Sequence, residues 1–282
     1  VQGKYTSWCN DPNRTIGSFM KMLPAGFTNL TDKLIVARTR KLIEKTLGEN
    51  LGFPQKTPPI NVYQGIDHLG EFKTAEEIYK AFESLSLTAY QPSIYLHKST
   101  DAGRQEALAD WDDDINREMY LVKMMCVLFM KRLESSWFAL KVTVNNVLEE
   151  HENTLKKVNE YLDSGTDDII RTGEVVDDEL YDEQIVHRRQ IKVSDIKNIK
   201  GFLKGLEYDC ALLHKIGRSL DDFEDKFKSG QEQDLKLEEL MRILETKKKA
   251  DNKKVVIFTA YSDTARFIYE QLESRGFSRM AL

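Results

Sequence analysis

The sequence predicts a predominantly α-helical chain: a long helical bundle with a hairpin insertion, followed by a small, incomplete α/β portion at the C-terminus. Three observations carry this expectation. Apolar residues recur at spacings of three and four over most of the stretch from residue 75 to 245, the period of a helix with one buried face. Glycine (15) and proline (6) are few among 282 residues, which suits long helices joined by few turns. Last, the β-branched run Val255-Val256-Ile257-Phe258-Thr259 precedes a capped helix, the order that opens a βαβ unit.

In chain order, the first helix is expected from about Leu30 to Leu47. Thr31 would be its N-cap and Gly48 its left-handed stop. Leu34, Ile35, Leu42 and Ile43 give it an apolar face, and Arg38, Arg40, Lys41 and Lys45 make the rest basic. Phe53-Pro54 and Pro58-Pro59 break the pattern, after which Ile60, Val62 and Gln64 alternate with Asn61, Tyr63 and Gly65. That alternation predicts a strand over 60–66. Thr74 to Glu77 forms a capping box for a helix through Ile78, Tyr79, Phe82 and Leu85.

Ile115, Met119, Val122, Cys126, Phe129 and Leu133 then mark a central helix, which Ser135-Ser136 interrupts. Ser136 can cap the next helix, through Leu140, Val144, Val147, His151, Leu155, Val158 and Leu162. The stretch from Asp163 to Val186 is rich in Asp and Glu, with Arg171 alone opposing them, and reads as a solvated connection. Ser194 is the expected cap of a second long helix. Its stripe of Ile196, Ile199, Leu203, Leu206, Cys210, Leu213 and Leu220 is a coiled-coil-like seam. Two helices of about 27 residues would each be roughly 40 Å long, and most simply form an antiparallel hairpin. Asp234 to Glu245 is amphipathic, with Lys247 to Lys249 suited to a helix C-terminus. After the Val255 run, Ser262 or Asp263 caps a helix ending near Ser274, with Gly276 behind it. Phe277 to Leu282 reads as the start of another strand.

Composition narrows the function classes. An apolar fraction of 41% and a charged fraction of 31% are those of a globular protein with a proper core. A net charge of −5 excludes a surface that is basic all over, so nucleic-acid contact would come from local basic patches. Cys9, Cys126 and Cys210 contain no CxxC pair and read as buried thiols in a reducing, cytoplasmic setting. The longest apolar run, Tyr120 to Met130 with Lys123 inside it, falls short of the roughly 20 residues that span a bilayer, so no membrane partner is expected. The start lacks both a signal-peptide layout and an initiator methionine, as expected of a piece of a longer chain.

The motif search is mostly negative. GxxxxGK[ST], HExxH, GxSxG and GxGxxG do not occur. Gly201-Phe-Leu-Lys-Gly205 lies inside the seam helix, and Asp177-Asp-Glu-Leu180 has no apolar strand before it. The histidines at 68, 97, 151, 187 and 214 have no metal-ligand spacing. His151 falls on an apolar stripe, as a core histidine does, and Trp8, Trp111 and Trp137 read as packing residues. No catalytic residue, metal ligand or cofactor site is therefore expected in this chain. The basic clusters Arg38/Arg40/Lys41/Lys45, Lys131/Arg132 and Lys247 to Lys254 are either phosphate grips or solvated helix faces.

Four segments, in order, resemble the SNF2-like branch of superfamily 2 helicases and translocases, particularly the bacterial members related to the RNA-polymerase-associated translocase. Leu34-Ile-Val-Ala-Arg-Thr-Arg40 is similar to the Leu-Arg-Arg-Thr-Lys element that ends that family's first RecA-like lobe, with Ala37 where the family has its first arginine. Phe53-Pro54-Gln-Lys56, the strand at 60–66 and Tyr79 resemble the family's Leu-Pro, strand, Gln…Leu-Tyr layout. Lys131-Arg-Leu-Glu-Ser-Ser136 with Ala139-Leu140 resembles its KR…SS…AL signature. Asp234-Leu-Lys236-Leu…Leu240 and then Val255 to Thr264 resemble its D-K-L…L helix and motif IV.

The resemblance implies residues 1–66 as the tail of the first RecA-like lobe with a linker strand. It makes 67–232 a helical protrusion carrying the acidic connection 163–186, and 233–282 the start of the second RecA-like lobe. It implies an ATP-dependent, DNA-stimulated parent using ATP and Mg2+, with the phosphate loop and arginine finger outside these residues, so that this chain alone is silent. It places Thr259 and Tyr261 near the nucleic-acid path, with Arg38, Lys131 and Arg132 as backbone contacts. DNA, in duplex form, is the expected partner, with RNA as the alternative substrate. The other RecA-like parts of the parent would pack beside this chain, and a protein partner could sit on the helical hairpin. The rival reading is a non-enzymatic helical interaction module whose seam at 196–220 binds a partner helix.

Overall fold

The structure is a computed structural model that describes residues 2–9, 15–34, 43, 45–46, 57–66, 75–96, 108–172 and 189–282. The chain divides into two compact units, Val1–Val62 and Tyr63–Leu282, and its described residues are predominantly helical.

The first unit holds α1 (Gln2–Cys9), α2 (Ile16–Met22) and α3 (Ala25–Leu34). Thr15 caps α2: its hydroxyl accepts from Ser18 N, and Ser18 Oγ accepts from Thr15 N, a reciprocal capping box. The rings of Tyr5, Trp8 and Phe19 pack together at 5.3–5.8 Å, and Trp8 Nε1 donates to Thr15 O at 2.9 Å. Thr31 lies inside α3 and is not its N-cap: the helix starts at Ala25, directly after Pro24, a residue suited to the first helical turn. Arg38, Arg40 and Lys41 fall outside the described residues.

The alternating segment at 60–66 forms no strand. Its residues have no regular structure and no partner ladder; 60–65 are exposed and Ile66 is half-buried. Alternation records which residues suit a pleated sheet; a strand also needs a neighbour to take its backbone bonds.

The second unit is built on α4 (Ala75–Glu83), α5 (Leu108–Ser135), α6 (Trp137–Ser164) and α7 (Ile199–Lys228). Ser136 breaks α5 from α6. It adopts an extended backbone, and its Oγ accepts from Ala139 N at 3.0 Å, the capping role that the sequence predicts. α6 and α7, 28 and 30 residues long, are about 42 and 45 Å in length. They run antiparallel, as three cross-helix contacts show: Lys141 with Asp221 and Glu224, His214 with Glu152, and His151 beside Asp209. Their facing stripes bury Leu140, Val144, Val147 and Val158 against Phe202, Leu206, Leu213 and Leu220.

Two details of this hairpin differ from expectation. The acidic connection is partly structured: β1 (Ile169–Thr172) pairs antiparallel with β2 (Arg189–Lys192), with Ile170 opposite Ile191 and both buried. Ser194 does not cap the second helix. It sits in a 3-10 turn, Val193–Asp195, where it donates from N and Oγ to Asp167, and Asn198 caps α7 by accepting from Gly201 N.

A buried strap, residues 85–96, runs between the helices as two 3-10 turns, Thr88–Tyr90 and Pro92–Tyr95. A carboxylate from a different helix pins each turn. Asp209 of α7 accepts from Ser86 N (2.8 Å), Thr88 N (2.7 Å) and Thr88 Oγ1 (2.6 Å). Glu118 of α5 accepts from Ser93 N (3.0 Å) and Ser93 Oγ (2.8 Å). Backbone donors that no helix or sheet satisfies thus find charged acceptors inside the core. Gly205 belongs to this arrangement: a Cβ there would lie 2.6 Å from Thr88 Oγ1, so the strap reaches α7 only because that residue has no side chain.

Two more helices complete the unit, α8 (Leu235–Lys248) and α9 (Ser262–Ser274). Asp234 caps α8 by accepting from Leu237 N, and Gly276 follows α9 at φ 81°, the left-handed position that favours glycine. The Val255 run is no strand here; it has no regular structure, and Val255 to Phe258 are exposed, Phe258 by 90%. Phe277–Leu282 is likewise irregular. Among the described residues, β1–β2 is the only sheet.

Candidate functional site

The polar contacts between the C-terminal portion and the helical unit concentrate where α5 gives way to α6. Lys131 and Arg132 lie in the last turns of α5, Ser135 and Ser136 form the break, and the residues preceding and opening α9 lie against them. Arg132 is 4% exposed. Its Nη1 donates to Asp263 Oδ2 at 3.0 Å, and its guanidinium carbon lies 4.0 Å from the centre of the Tyr261 ring, a cation–π arrangement in a nearly dry setting. Thr264 Oγ1 is shared between Ser135 Oγ (2.7 Å) and Ser136 Oγ (3.0 Å). Thr259 Oγ1 donates to Tyr261 O at 2.9 Å, which fixes the turn into α9.

An aromatic cluster extends this junction. Trp137 meets Phe138, Phe223, Phe227 and Phe267 edge-on at 5.2–5.9 Å, and Phe138 stacks on Phe267. Edge-to-face contacts of this kind add directional preference to the area they bury. The indole Nε1 of Trp137 donates to Asp234 Oδ2 at 3.1 Å. Burial pushes the Asp234 carboxyl above its ordinary range, against the backbone donors of its cap and the indole bond.

Three of the residues singled out in the sequence, Arg132, Thr259 and Tyr261, therefore meet at this junction. Lys131 is next to them in sequence but points to solvent, with no carboxylate partner among the described residues. Arg38 lies outside the described residues. Arg132 is buried and spends its guanidinium on Asp263 and Tyr261, so it holds the junction and has no face for a phosphate in this arrangement. Among the described residues no group of three His, Cys, Asp or Glu side chains could hold a metal ion, and no helix is long and apolar enough to cross a membrane.

Sequence reasoning missed the polar core. Asp209 stands one position from the seam residue Cys210 and three from Leu206, so a charge at an inward position was the available signal. His151, a core residue as expected, donates through Nδ1–H to Val147 O, and its Nε2 lies 3.8 Å from Asp209 Oδ2. Burial holds its imidazole below the ordinary histidine value, with Val147 O and Asp209 pulling the other way. Lys141 is held above its ordinary value: burial lowers it, and the bonds to Asp221 and Glu224 outweigh that.

Comparison with known protein families, with curated proteins and with solved structures finds no significant match.

Proposed function

We propose that this chain is a segment of an ATP-dependent, DNA-stimulated SNF2-like translocase, comprising the end of one RecA-like lobe, a helical protrusion and the opening of the second lobe. The observation that supports it is the junction itself. The Lys131–Ser136 segment and the Val255–Thr264 segment resemble two family motifs independently, stand about 130 residues apart, and touch through Arg132–Asp263 and Ser135/Ser136–Thr264. In this reading ATP and Mg2+ are bound by parts of the protein outside these residues, in a reducing cytoplasm. The exposed Val255–Phe258 run would be a sheet strand of the second lobe, and Thr259 and Tyr261 would border the nucleic-acid path. Lys131 is the direct phosphate contact, and Arg132 acts by positioning Tyr261 and Asp263.

This division of labour has a test. In fluorescence-anisotropy titrations of labelled duplex DNA, Lys131→Ala lowers the slope of log affinity against log salt by about 1, the share of one phosphate contact. An unchanged slope would remove Lys131 from the interface.

A second reading, a helical interaction module, loses the seam at 196–220, which is buried against α6. It rests instead on a mainly apolar groove of about 280 Å³ between α4 and the hairpin, lined by Ile78, Phe82, Leu212, Lys215, Ile216 and Phe223. It accounts for the groove but gives no role to the motif-like residues that meet at Arg132.

A further inference from the structure

The outer face of α7 carries a row of basic residues to which the translocase proposal gives no role. Lys197, in the turn before the helix, is followed by Lys200, Lys204, Tyr208, Lys215 and Arg218. Within the helix the intervals from Lys200 to Arg218 are four, four, seven and three, all close to whole turns of 3.6 residues, so these five side chains fall on one stripe. Each is exposed, and Tyr208 is 53% exposed. The opposite stripe of the same helix, with Phe202, Leu206, Leu213 and Leu220, is buried in the core.

Two features separate this ridge from an ordinary solvated face. None of its five basic side chains has a carboxylate partner among the described residues. Elsewhere in the hairpin Lys141, Lys156, Lys157 and Lys228 are each paired with an acid. The charge of the ridge also runs against the helix. The first turn of α7 has no acidic residue and the unpaired basic groups begin at its N-terminus, whereas Asp221, Asp222, Glu224 and Asp225 crowd its C-terminal third. A helix macrodipole acts within the first and last turns: Lys200 opposes it in the first, while Lys226 and Lys228 suit it in the last. The ridge therefore gives the helix no pairing and, at Lys200, a small cost, which a use outside the fold explains.

We propose that this ridge binds a nucleic-acid backbone. From Lys200 to Arg218 it spans about 27 Å at 1.5 Å per residue, with Lys200 and Lys204 at one end, Lys215 and Arg218 at the other, and Glu207, Tyr208 and Ala211 between them. A chain with a net charge of −5 gains little long-range attraction for a polyanion, so binding has to come from such a local concentration. The exposed ring of Tyr208 sits mid-track, where it can stack on an unpaired base. This site goes beyond the translocase reading and does not depend on it, since it needs no nucleotide and lies on the hairpin.

The test uses the full 282-residue chain with fluorescein-labelled DNA about 30 nucleotides long, single-stranded and duplex, long enough to cover the track. It is titrated without ATP at several salt concentrations. Wild type should bind both without sequence preference. The triple variant K200E/K204E/K215E should bind at least about tenfold more weakly, and its salt slope should shrink by about 2.7 for duplex or about 2.1 for single strands, at about 0.9 and 0.7 per contact. Its melting temperature should hold, because the three side chains are exposed and unpaired among the described residues and the one new charge in the first turn, at residue 200, suits the helix dipole. A purely structural role would lower the melting temperature instead. Single-strand binding should also weaken in Tyr208→Ala. Unchanged affinity and slope in the triple variant would overturn the proposal, as would tighter binding of a polyglutamate chain of equal charge. If the triple variant fails to fold, the milder K204Q/R218Q pair replaces it, with the same direction of change expected and the same null result overturning the proposal. If Lys131→Ala leaves DNA binding intact while these variants abolish it, the ridge stands and the junction contact falls.

Discussion

Replacing Asp209 with alanine strikes the most heavily committed polar side chain of the core. The carboxylate is fully buried and accepts two backbone N–H groups and one hydroxyl, from Ser86 and Thr88, at 2.6–2.8 Å. Hydrogen bonds to a charged acceptor contribute about 1.5–3 kcal/mol each, and a buried donor left unpaired costs about 1–3 kcal/mol. The three bonds belong to one side chain and one strap, so their losses do not simply add. A net destabilisation of about 3–5 kcal/mol is expected, the scale of breaking a buried charged contact. Asp209→Asn keeps the shape and one acceptor oxygen but turns an amide N–H toward a donor, and should lose about 2–3 kcal/mol. Urea unfolding followed by far-ultraviolet circular dichroism reads both. With a slope of about 2 kcal/mol per molar, alanine moves the midpoint down by roughly 2 M. A loss below about 1 kcal/mol for alanine, less than one such bond contributes, would refute the idea that this carboxylate holds the strap.

Two further outcomes follow from the same core. Gly205→Ala should destabilise by about 1–3 kcal/mol, because its Cβ would meet Thr88 Oγ1 at 2.6 Å and Tyr95 Oη at 3.2 Å. Gly217→Ala in the same helix, whose nearest neighbour is 3.9 Å away, should instead stabilise by about 0.5–1 kcal/mol through helix propensity; equal effects from the two, read by thermal melts, would contradict the geometry. For His151, burial lowers the folded pKa, while the unfolded chain takes up its proton near pH 6.5. The unfolded state then binds more protons, so this contribution is complete above about pH 6.5 and is lost as pH falls below it, by at most about 1.4 kcal/mol per pH unit. Stability measured against pH should fall less steeply in His151→Gln than in wild type, and matching curves would remove His151 as the source.

What the sequence disclosed was the part of the fold written in local periodicity and capping. Ser136, Asp234 and the apolar stripes of α6 and α7 are legible because the cap and the buried face are encoded within a few residues of each other. The segments at 60–66 and 255–259 show the limit of that logic: their residue types suit a sheet, but a strand exists only beside another strand. The β1–β2 pair escaped notice for the converse reason: its buried pair is Ile170 in an acidic stretch and Ile191 in a basic one, two single apolar positions far apart in sequence. At the site, adjacent Lys131 and Arg132 looked equivalent. A rotation of about 100° per helical residue turns one to solvent and the other into the junction, and only the partners Asp263 and Tyr261 reveal which is which. The Asp209–Thr88 contact spans 121 residues, a pairing that no local pattern encodes.

Whether the junction at Arg132 belongs to a DNA-driven motor is decided most directly by ATP hydrolysis. On the translocase proposal, the protein to assay is a longer one that would carry this segment together with phosphate-binding motifs, with and without duplex DNA, beside the 282-residue chain. Strong stimulation by DNA in the longer protein, with no hydrolysis by this chain under either condition, is the predicted result. Hydrolysis that ignores DNA, or turnover by this chain alone, would contradict it.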